Sequence, residues 1–407
     1  MFRVLLADKL PLSVVSRLES RGCEVIVSPD LKDDTLEQAL RDHNPEVLVV
    51  RSTKVNSGHL DAASALSLVV RAGAGVNTID LAAASSRGVY VSNCPGKNAV
   101  AVAELAWAHI LNADRRVADG VHDLRSGQWR KKVYSKQAKG IKGRTLGIVG
   151  FGAIGQAVAK RGHAFEMEIL AFDPALTPEA AEGWGVRSVG SLVELASESD
   201  VLTVHVGLNA HTRGLIGNEV IQALKPGAIV VNTSRGPVVD EAALRRGIEE
   251  KALRAGLDVF CEEPAADGSW KPDLVDLPGV YGTHHIGAST DEAQEAVAME
   301  ACRVLETYAD EGSPANCVNL ARYTPATHLL VIRHRDEVGV LSGVLNLLKE
   351  AKINVQNMEN IVFSAEVGSP CAACARIQIV GSPEPPILES LMSGSAIFEV
   401  KLLSLEG

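Results

Sequence analysis

The stretch GTHHIGAST, residues 282–290, sets His284 beside His285, after a short apolar run and before a Gly-Ala-Ser-Thr turn. An imidazole, with an ordinary pKa near 6.5, can take a proton from a hydroxyl near neutral pH and return it. A lone histidine is more often a packed ring than a catalytic base, and these residues alone leave open which of the two would act. A second stretch is more specific. LGIVGFGAIG holds G-x-G-x-x-G as Gly150, Gly152 and Gly155, after an apolar run and before a helical one. In that setting Gly150 allows a tight turn, Gly152 lets a pyrophosphate approach the backbone, and Gly155 lets the helix pack on the strand. The helix N-terminus then faces the phosphates with unpaired N–H groups. Asp173 ends the next apolar run, EILAFDP, with no arginine immediately beside it. A carboxylate there accepts bonds from ribose hydroxyls and repels a 2′-phosphate, so the expected cofactor is NAD rather than NADP.

Such residues need a scaffold. A chain of 407 residues exceeds one ordinary core and is expected to form two or three domains. Apolar residues make up 46%, enough for real cores and against disorder. The net charge of -10, with no long basic run, disfavours a nucleic-acid surface. Seven scattered cysteines fit a reducing compartment. Cys371 and Cys374 form one Cys-x-x-Cys without a second pair, so they read as packed thiols and no metal is expected. MFRVLLADKLP reads as a first strand and not a signal peptide. No apolar run approaches the roughly 18 residues of a membrane helix, and the expectation is a soluble cytoplasmic protein.

Short Val/Ile/Leu-rich runs alternate with helical patterns from FRVLLAD to VYVSN, and again from TLGIVG to GVYGTHH. Two α/β units with parallel sheets covered on both faces follow from that order. Between them a helical pattern runs unbroken from near Ala99 to Gly127, followed by the basic linker KKVYSKQAKGIKG. After the linker NLARYTPATHLL the pattern becomes β-α-β-β-α-β, which is ferredoxin-like.

KGRTLGIVGFGAIG, VVNTSRGPVVDEAAL, AGLDVFCEEP and HHIGAST occur in that order. On these motifs the chain resembles the NAD-dependent D-2-hydroxyacid dehydrogenases over nearly its whole length, and its last segment resembles an ACT regulatory domain. The resemblance implies two doubly wound Rossmann- or flavodoxin-like parallel-sheet domains and a C-terminal ferredoxin-like ACT domain. It divides the chain into a discontinuous substrate-binding domain, 1–97 with 288–322, an NAD-binding domain, 98–287, and the ACT domain, 326–407. It also chooses among the candidates. The family's catalytic arginine falls on Arg235 in NTSRGP, where a fork of donors suits a carboxylate. Its glutamate, the one before proline, falls on Glu263 and not Glu262. Its acid–base histidine, before x-G-A-S, falls on His285 and not His284. A carboxylate beside that ring would orient it and favour its charged form.

The resemblance extends the cofactor set to Ala153, Ile154, His205, Val206, Thr233, Ser234, Asp258 and Gly287. It places a substrate phosphate on Arg51 and Ser52 in VVRSTKVN and on Asn98, and a substrate carboxylate on the backbone of Gly73, Ala74 and Gly75. Ala74 stands where relatives often carry threonine. Gly207 in HVGL stands where relatives carry proline, so the loop beside the cofactor is expected to be less rigid. In the last segment, His334, Asp336 and Asn354 match positions that hold a serine or other amino-acid effector, with Asp336 replacing an asparagine. The activity implied is NAD-dependent oxidation of D-3-phosphoglycerate to 3-phosphohydroxypyruvate, the first step of serine biosynthesis, by a homodimer or homotetramer. The rivals are a hydroxypyruvate or glyoxylate reductase on the same fold and an NAD(H)-sensing interaction protein.

Overall fold

The computed structural model describes residues 2–136, 138–264, 268–321, 323–364 and 371–405. The chain divides into two compact units, Met1–Asn319 and Leu320–Gly407.

The first unit holds two parallel sheets. The N-terminal sheet is built from β1 (Arg3–Leu6), β2 (Glu24–Val27), β3 (Val47–Val50), β4 (Leu68–Arg71) and β5 (Tyr90–Asn93), in the order β2-β1-β3-β4-β5. That is the flavodoxin-like winding. Successive side chains point to opposite faces, so the unbroken apolar runs of β1, β3 and β4 demand cover on both sides. Val4, Leu6, Val49 and Val70 pack on one face against Val14 and Leu18 of the Leu12–Ser20 helix. The same face is closed by Val297, Ala301 and Leu305 of the helix Asp291–Glu311, far along the chain. Leu5, Leu48 and Val69 pack on the other face against Leu36, Leu40, Leu60 and Ala84. Each fully buried side chain of this kind stabilises the fold by about 1.5–3 kcal/mol. The long helix is bolted to its neighbour by charge as well: Arg17 grips Glu306 with two hydrogen bonds of 2.7 and 2.8 Å.

The second sheet comprises β6 (Thr145–Val149), β7 (Glu168–Phe172), β8 (Arg187–Ser188), β9 (Val201–Val204), β10 (Ile229–Asn232), β11 (Arg254–Leu257) and β12 (Val280–Gly282), in the order β12-β11-β10-β9-β6-β7-β8. The winding reverses at β6, which pairs with β7 on one side and β9 on the other. Such a reversal opens a crevice at the strands' carboxyl ends. GFGAIG follows β6 into the Ala153–Ala164 helix there. A Cβ on Gly155 would lie 2.2 Å from the Gly150 carbonyl oxygen, so only glycine lets this helix sit so close.

The helical pattern read as continuous from Ala99 is broken. One helix spans Ala99–Arg115 and a second Val117–Arg125, with Arg116 between them in the left-handed region at φ 55°. Polar side chains explain the break. Asn112 Oδ1 accepts the Ala118 N–H at 2.8 Å, and Arg116 turns back to Asp119 at 2.7 Å. The basic linker also contains a short helix, Lys131–Tyr134.

The second unit has the expected β-α-β-β-α-β order: β13 (His328–Arg335), β14 (Val355–Val362), β15 (Ala372–Ile379) and β16 (Ile397–Ser404), with helices Val340–Glu350 and Pro385–Met392. Its sheet is antiparallel, in the order β14-β15-β13-β16. Leu330, Ile332, Ile377 and Ile379 meet Val344, Leu348 and Leu391 of the helices in its core. Among the described residues no helix is long and apolar enough to cross a membrane.

Candidate active site

The end of β11 organises the site. Asp258, almost fully buried, follows Leu257. Its carbonyl accepts the N–H of His285 at 2.8 Å. Its carboxylate accepts those of Ile286 and Gly287, at 2.9 and 2.8 Å, and the Thr283 hydroxyl at 2.6 Å. Held in this way, His285 adopts a left-handed backbone at φ 52°, a conformation that a non-glycine residue keeps only where its surroundings impose it. Its Nδ1 meets Glu263 Oε2 at 2.7 Å. Glu263 is fixed in turn by the N–H of Phe260, at 3.0 Å. Burial pushes the Glu263 carboxyl up, but the bonds from His285 and Phe260 and the charges of His285 and Arg235 outweigh it and hold the group below its ordinary range. The pair leaves Nε2 as the nitrogen of His285 available to a substrate.

Arg235 follows β10, where the Asn232 side chain braces the turn by donating to the Arg235 carbonyl at 3.0 Å. A Cβ on Gly75 would lie 2.6 Å from Arg235 Nη2, and one on Gly73 only 1.5 Å from Arg71 Nη1. The two glycines are therefore the space into which two guanidiniums fold. Burial lowers the Arg235 guanidinium's pKa, against the pull of Glu263. Arg71 is pushed down to about 10, first by burial and then by the charges of Arg235 and Arg51. Arg71 Nε is buried and has no hydrogen-bond partner. Two cations buried side by side, only partly offset by the charges of Glu263 and Asp8, are costly, and an anion would relieve them.

These groups border a cleft of about 710 Å³. Of the residues singled out in the sequence, Ala74, Gly75, Asn98, Ile154, His205, Val206, Thr233, Ser234, Arg235, Asp258, His285 and Gly287 line it. Glu263 stands behind His285. Gly150, Gly152, Ala153, Gly155 and Asp173 lie at the end of β6 and β7 and not on that wall. The Asp173 carboxylate accepts the N–H groups of Phe151 and Ala175, each at 2.8 Å, which ties it to the glycine-rich turn. Arg51 donates to Gln294 at 3.0 Å. Asp8 gathers the N–H groups of Arg51, Ser52 and Thr53. The Ser52 hydroxyl also donates to Asp8, at 3.0 Å, so its proton is already engaged there and not free for a phosphate. Arg71, Asp8 and Gln294 escaped the sequence reading. Arg71 carried a signal, as a charge closing the apolar run LVVR at a strand's carboxyl end.

The residues fit a dinucleotide. A Cβ on Gly152 would meet nothing within 4 Å, so the start of the Ala153–Ala164 helix is open to a phosphate. Thr233 Oγ1 and His205 Nδ1 are buried without partners, as polar atoms awaiting a ligand are. Burial pushes the His205 imidazole down to about 3, so it meets a ligand neutral. The loop after it, at Gly207, is closed by a hydrogen-bonded turn: Thr212 donates to the Gly207 carbonyl at 2.6 Å, and Asn209 Oδ1 accepts two N–H groups.

In the second unit His334 is buried, with Nε2 3.1 Å from Asn360 Oδ1 and Nδ1 2.7 Å from the Arg335 carbonyl. Asp336 and Asn354 are exposed and contribute only backbone bonds among those described.

A glycine-rich turn at a winding reversal, facing a carboxylate-held imidazole and buried guanidiniums, is the site of a nicotinamide-nucleotide oxidoreductase. The family described as "D-isomer specific 2-hydroxyacid dehydrogenase, NAD binding domain" matches residues 107–287. The chain is 41% identical over 300 residues to D-3-phosphoglycerate dehydrogenase of Methanocaldococcus jannaschii, covering 73% of this chain and 55% of that one. It is 41% identical over 301 residues to hydroxypyruvate reductase of Thermotoga maritima, covering 74% of this chain and 95% of that one. The NAD-dependent formate dehydrogenase of Staphylococcus aureus, solved in complex with NAD, superposes with a TM-score of 0.67 at 27% identity, over 78% of this chain and 98% of that one. The chain belongs to the D-2-hydroxyacid dehydrogenase family, carries that family's NAD-binding domain, and is an NAD-dependent oxidoreductase. It spans only 55–60% of the length of its first phosphoglycerate dehydrogenase relatives.

Glu263 is held ionised by its partners in the folded chain. A depressed carboxyl adds stability that is complete above its unfolded pKa and is lost as pH falls through the folded value. The Tm of Glu263→Gln should therefore lie below wild type near pH 5, and the gap should close as pH falls below about 4. Scanning calorimetry across that range checks it.

Proposed function

We propose that the chain oxidises D-3-phosphoglycerate to 3-phosphohydroxypyruvate with NAD, supplying carbon to serine biosynthesis. The observation that carries this reading is that Arg71 and Arg235 line the cleft together with His285, with the charge of Arg51 close enough to act on Arg71. A 2-hydroxy acid with one carboxylate needs one guanidinium. A second anionic group gives the others a partner.

His285 Nε2 takes the hydroxyl proton, while Glu263 holds the ring and stabilises the imidazolium that results. Arg235 binds the substrate carboxylate and the oxygen that becomes the carbonyl. Arg71 and Arg51 hold the phosphate, with the Asn98 side chain at the cleft wall. NAD, when bound, accepts the hydride from C2. Thr233 and His205, buried without partners, would hold its nicotinamide end, and Asp173 with the glycine-rich turn would hold its adenosine end.

The domain assignment that goes with this reading is substrate binding by 1–97 with 288–322, NAD binding by 98–287, and an ACT regulatory domain over 326–407. Self-association is supported by the Val117–Arg125 helix. Val117, Val121 and Leu124 form an apolar stripe on it, all exposed, and none of its residues is buried. A second copy would cover that stripe.

A second reading, reduction of unphosphorylated hydroxypyruvate, draws support from the Thermotoga maritima relative, matched over 95% of its length, and from the engaged Ser52 hydroxyl. NADH oxidation with 3-phosphohydroxypyruvate, hydroxypyruvate and glyoxylate separates the two. A kcat/KM preference of about a hundredfold for the phosphorylated acid, abolished in Arg71→Leu, is expected. Equal or better turnover of hydroxypyruvate replaces this reading with the second. Leu124→Glu should lower the mass measured by size-exclusion light scattering, and an unchanged mass removes the stripe as the interface. In a thermal-shift titration with L-serine, a rising Tm supports an effector site at His334, Asp336 and Asn354, and an unchanged Tm argues against it.

A further inference from the structure

We propose that His109, on the Ala99–Arg115 helix and outside the cleft wall, is a positioning residue for His285 that acts through Thr283 and Asp258. The proposal rests on His285 as the acid–base group. His109 is buried, and its Nε2 lies 3.0 Å from Thr283 Oγ1. Thr283 Oγ1 lies 2.6 Å from Asp258 Oδ1. A hydroxyl has one proton to give and a carboxylate only accepts, so the Thr283 proton goes to Asp258. The oxygen is then left to accept, and His109 Nε2 must carry the N–H. The chain runs one way: His109 N–H to Thr283 O–H to Asp258, whose carboxylate and carbonyl grip the backbone of residues 285–287.

The side chain is tightly seated at its base. A Cβ on Gly256 of β11 would lie 2.5 Å from His109 Cβ and 2.8 Å from its Cγ, so helix and strand touch at this side chain. Burial lowers the His109 pKa, against the pull of Asp258, which keeps the ring a neutral single donor at neutral pH. Without that donor the Thr283 hydroxyl is free to rotate off Asp258. The carboxylate then loses its lateral restraint, and the left-handed turn at His285 loses part of what imposes it. The consequence falls on the geometry of proton transfer, not on the folding core, because leucine fills the histidine's space.

The test compares wild type with His109→Leu, His109→Gln and Thr283→Val, by NADH-dependent reduction of the preferred 2-oxo acid, Tm, and hydrogen–deuterium exchange. For His109→Leu, kcat should fall about tenfold while both KM values stay within about twofold. Exchange should quicken at amides 285–287 alone. Gln places a side-chain N–H where the ring's Nε2–H stood and should restore both. Thr283→Val should repeat the His109→Leu signature and decides the matter if His109→Leu does not fold. Wild-type kcat in either variant, a loss shared equally by kcat and KM, or failure of Gln to restore kcat overturns the proposal. If wild type turns over no 2-oxo acid, the functional reading fails separately. Exchange then decides, and unchanged protection of 285–287 in Thr283→Val sinks the positioning role.

Discussion

The turn that carries His285 hangs on one buried carboxylate. Asp258 satisfies three consecutive N–H groups, of residues 285 to 287, with its carbonyl and its two carboxylate oxygens. A chain segment leaving a β-strand would otherwise turn those donors toward water or leave them unpaired. Capturing all three forces the tight, left-handed path at His285, and that path turns the imidazole toward Glu263. The glutamate is anchored by Phe260, two residues beyond Asp258. The imidazole, its carboxylate partner and the turn that carries the imidazole are thus all referred to the end of a single strand, β11. A site referred to one rigid element keeps its geometry better than one assembled from independent loops.

The opposite wall works by repulsion held in check. Arg71 and Arg235 are folded under a glycine loop with too few anions around them. The cost is carried by the surrounding packing, chiefly the sheet from which Arg71 emerges. Cations that are already dehydrated and fixed are ready to meet an anion without further reorganisation.

Much of this was legible in the residues, for reasons that differ from part to part. The glycine spacing at 150, 152 and 155 is imposed by contacts of backbone on backbone, so it is written in the sequence as an absence of side chains. The alternation of apolar runs and helical patterns announced both parallel sheets, because strands covered on two faces cannot hide polar residues. Pairing His285 with Glu263 needed the family's motif; spacing alone left His284 and Glu262 as equals. Three features were not legible. The break at Arg116 is made by the side chains of Asn112 and Asp119, which a helical periodicity does not register. The binding of Ser52 to Asp8 joins residues 44 apart along the chain. Arg71 looked like the end of a strand, and only folding showed its guanidinium beneath Gly73.

The N-terminal sheet is translated first, yet one of its faces waits for a helix near the end of the first unit. One face of β1, β3 and β4 has only the short Leu12–Ser20 helix as cover until the Asp291–Glu311 helix arrives. The entire NAD-binding segment is synthesised in between. During that interval Val4, Leu6, Val49 and Val70 present an open apolar surface on the nascent chain. At about 5–20 residues per second, the roughly two hundred intervening residues take ten seconds or more to emerge. A chain cut off before residue 291 would therefore leave that face of its first sheet without its main cover, an open apolar surface of the kind that promotes aggregation.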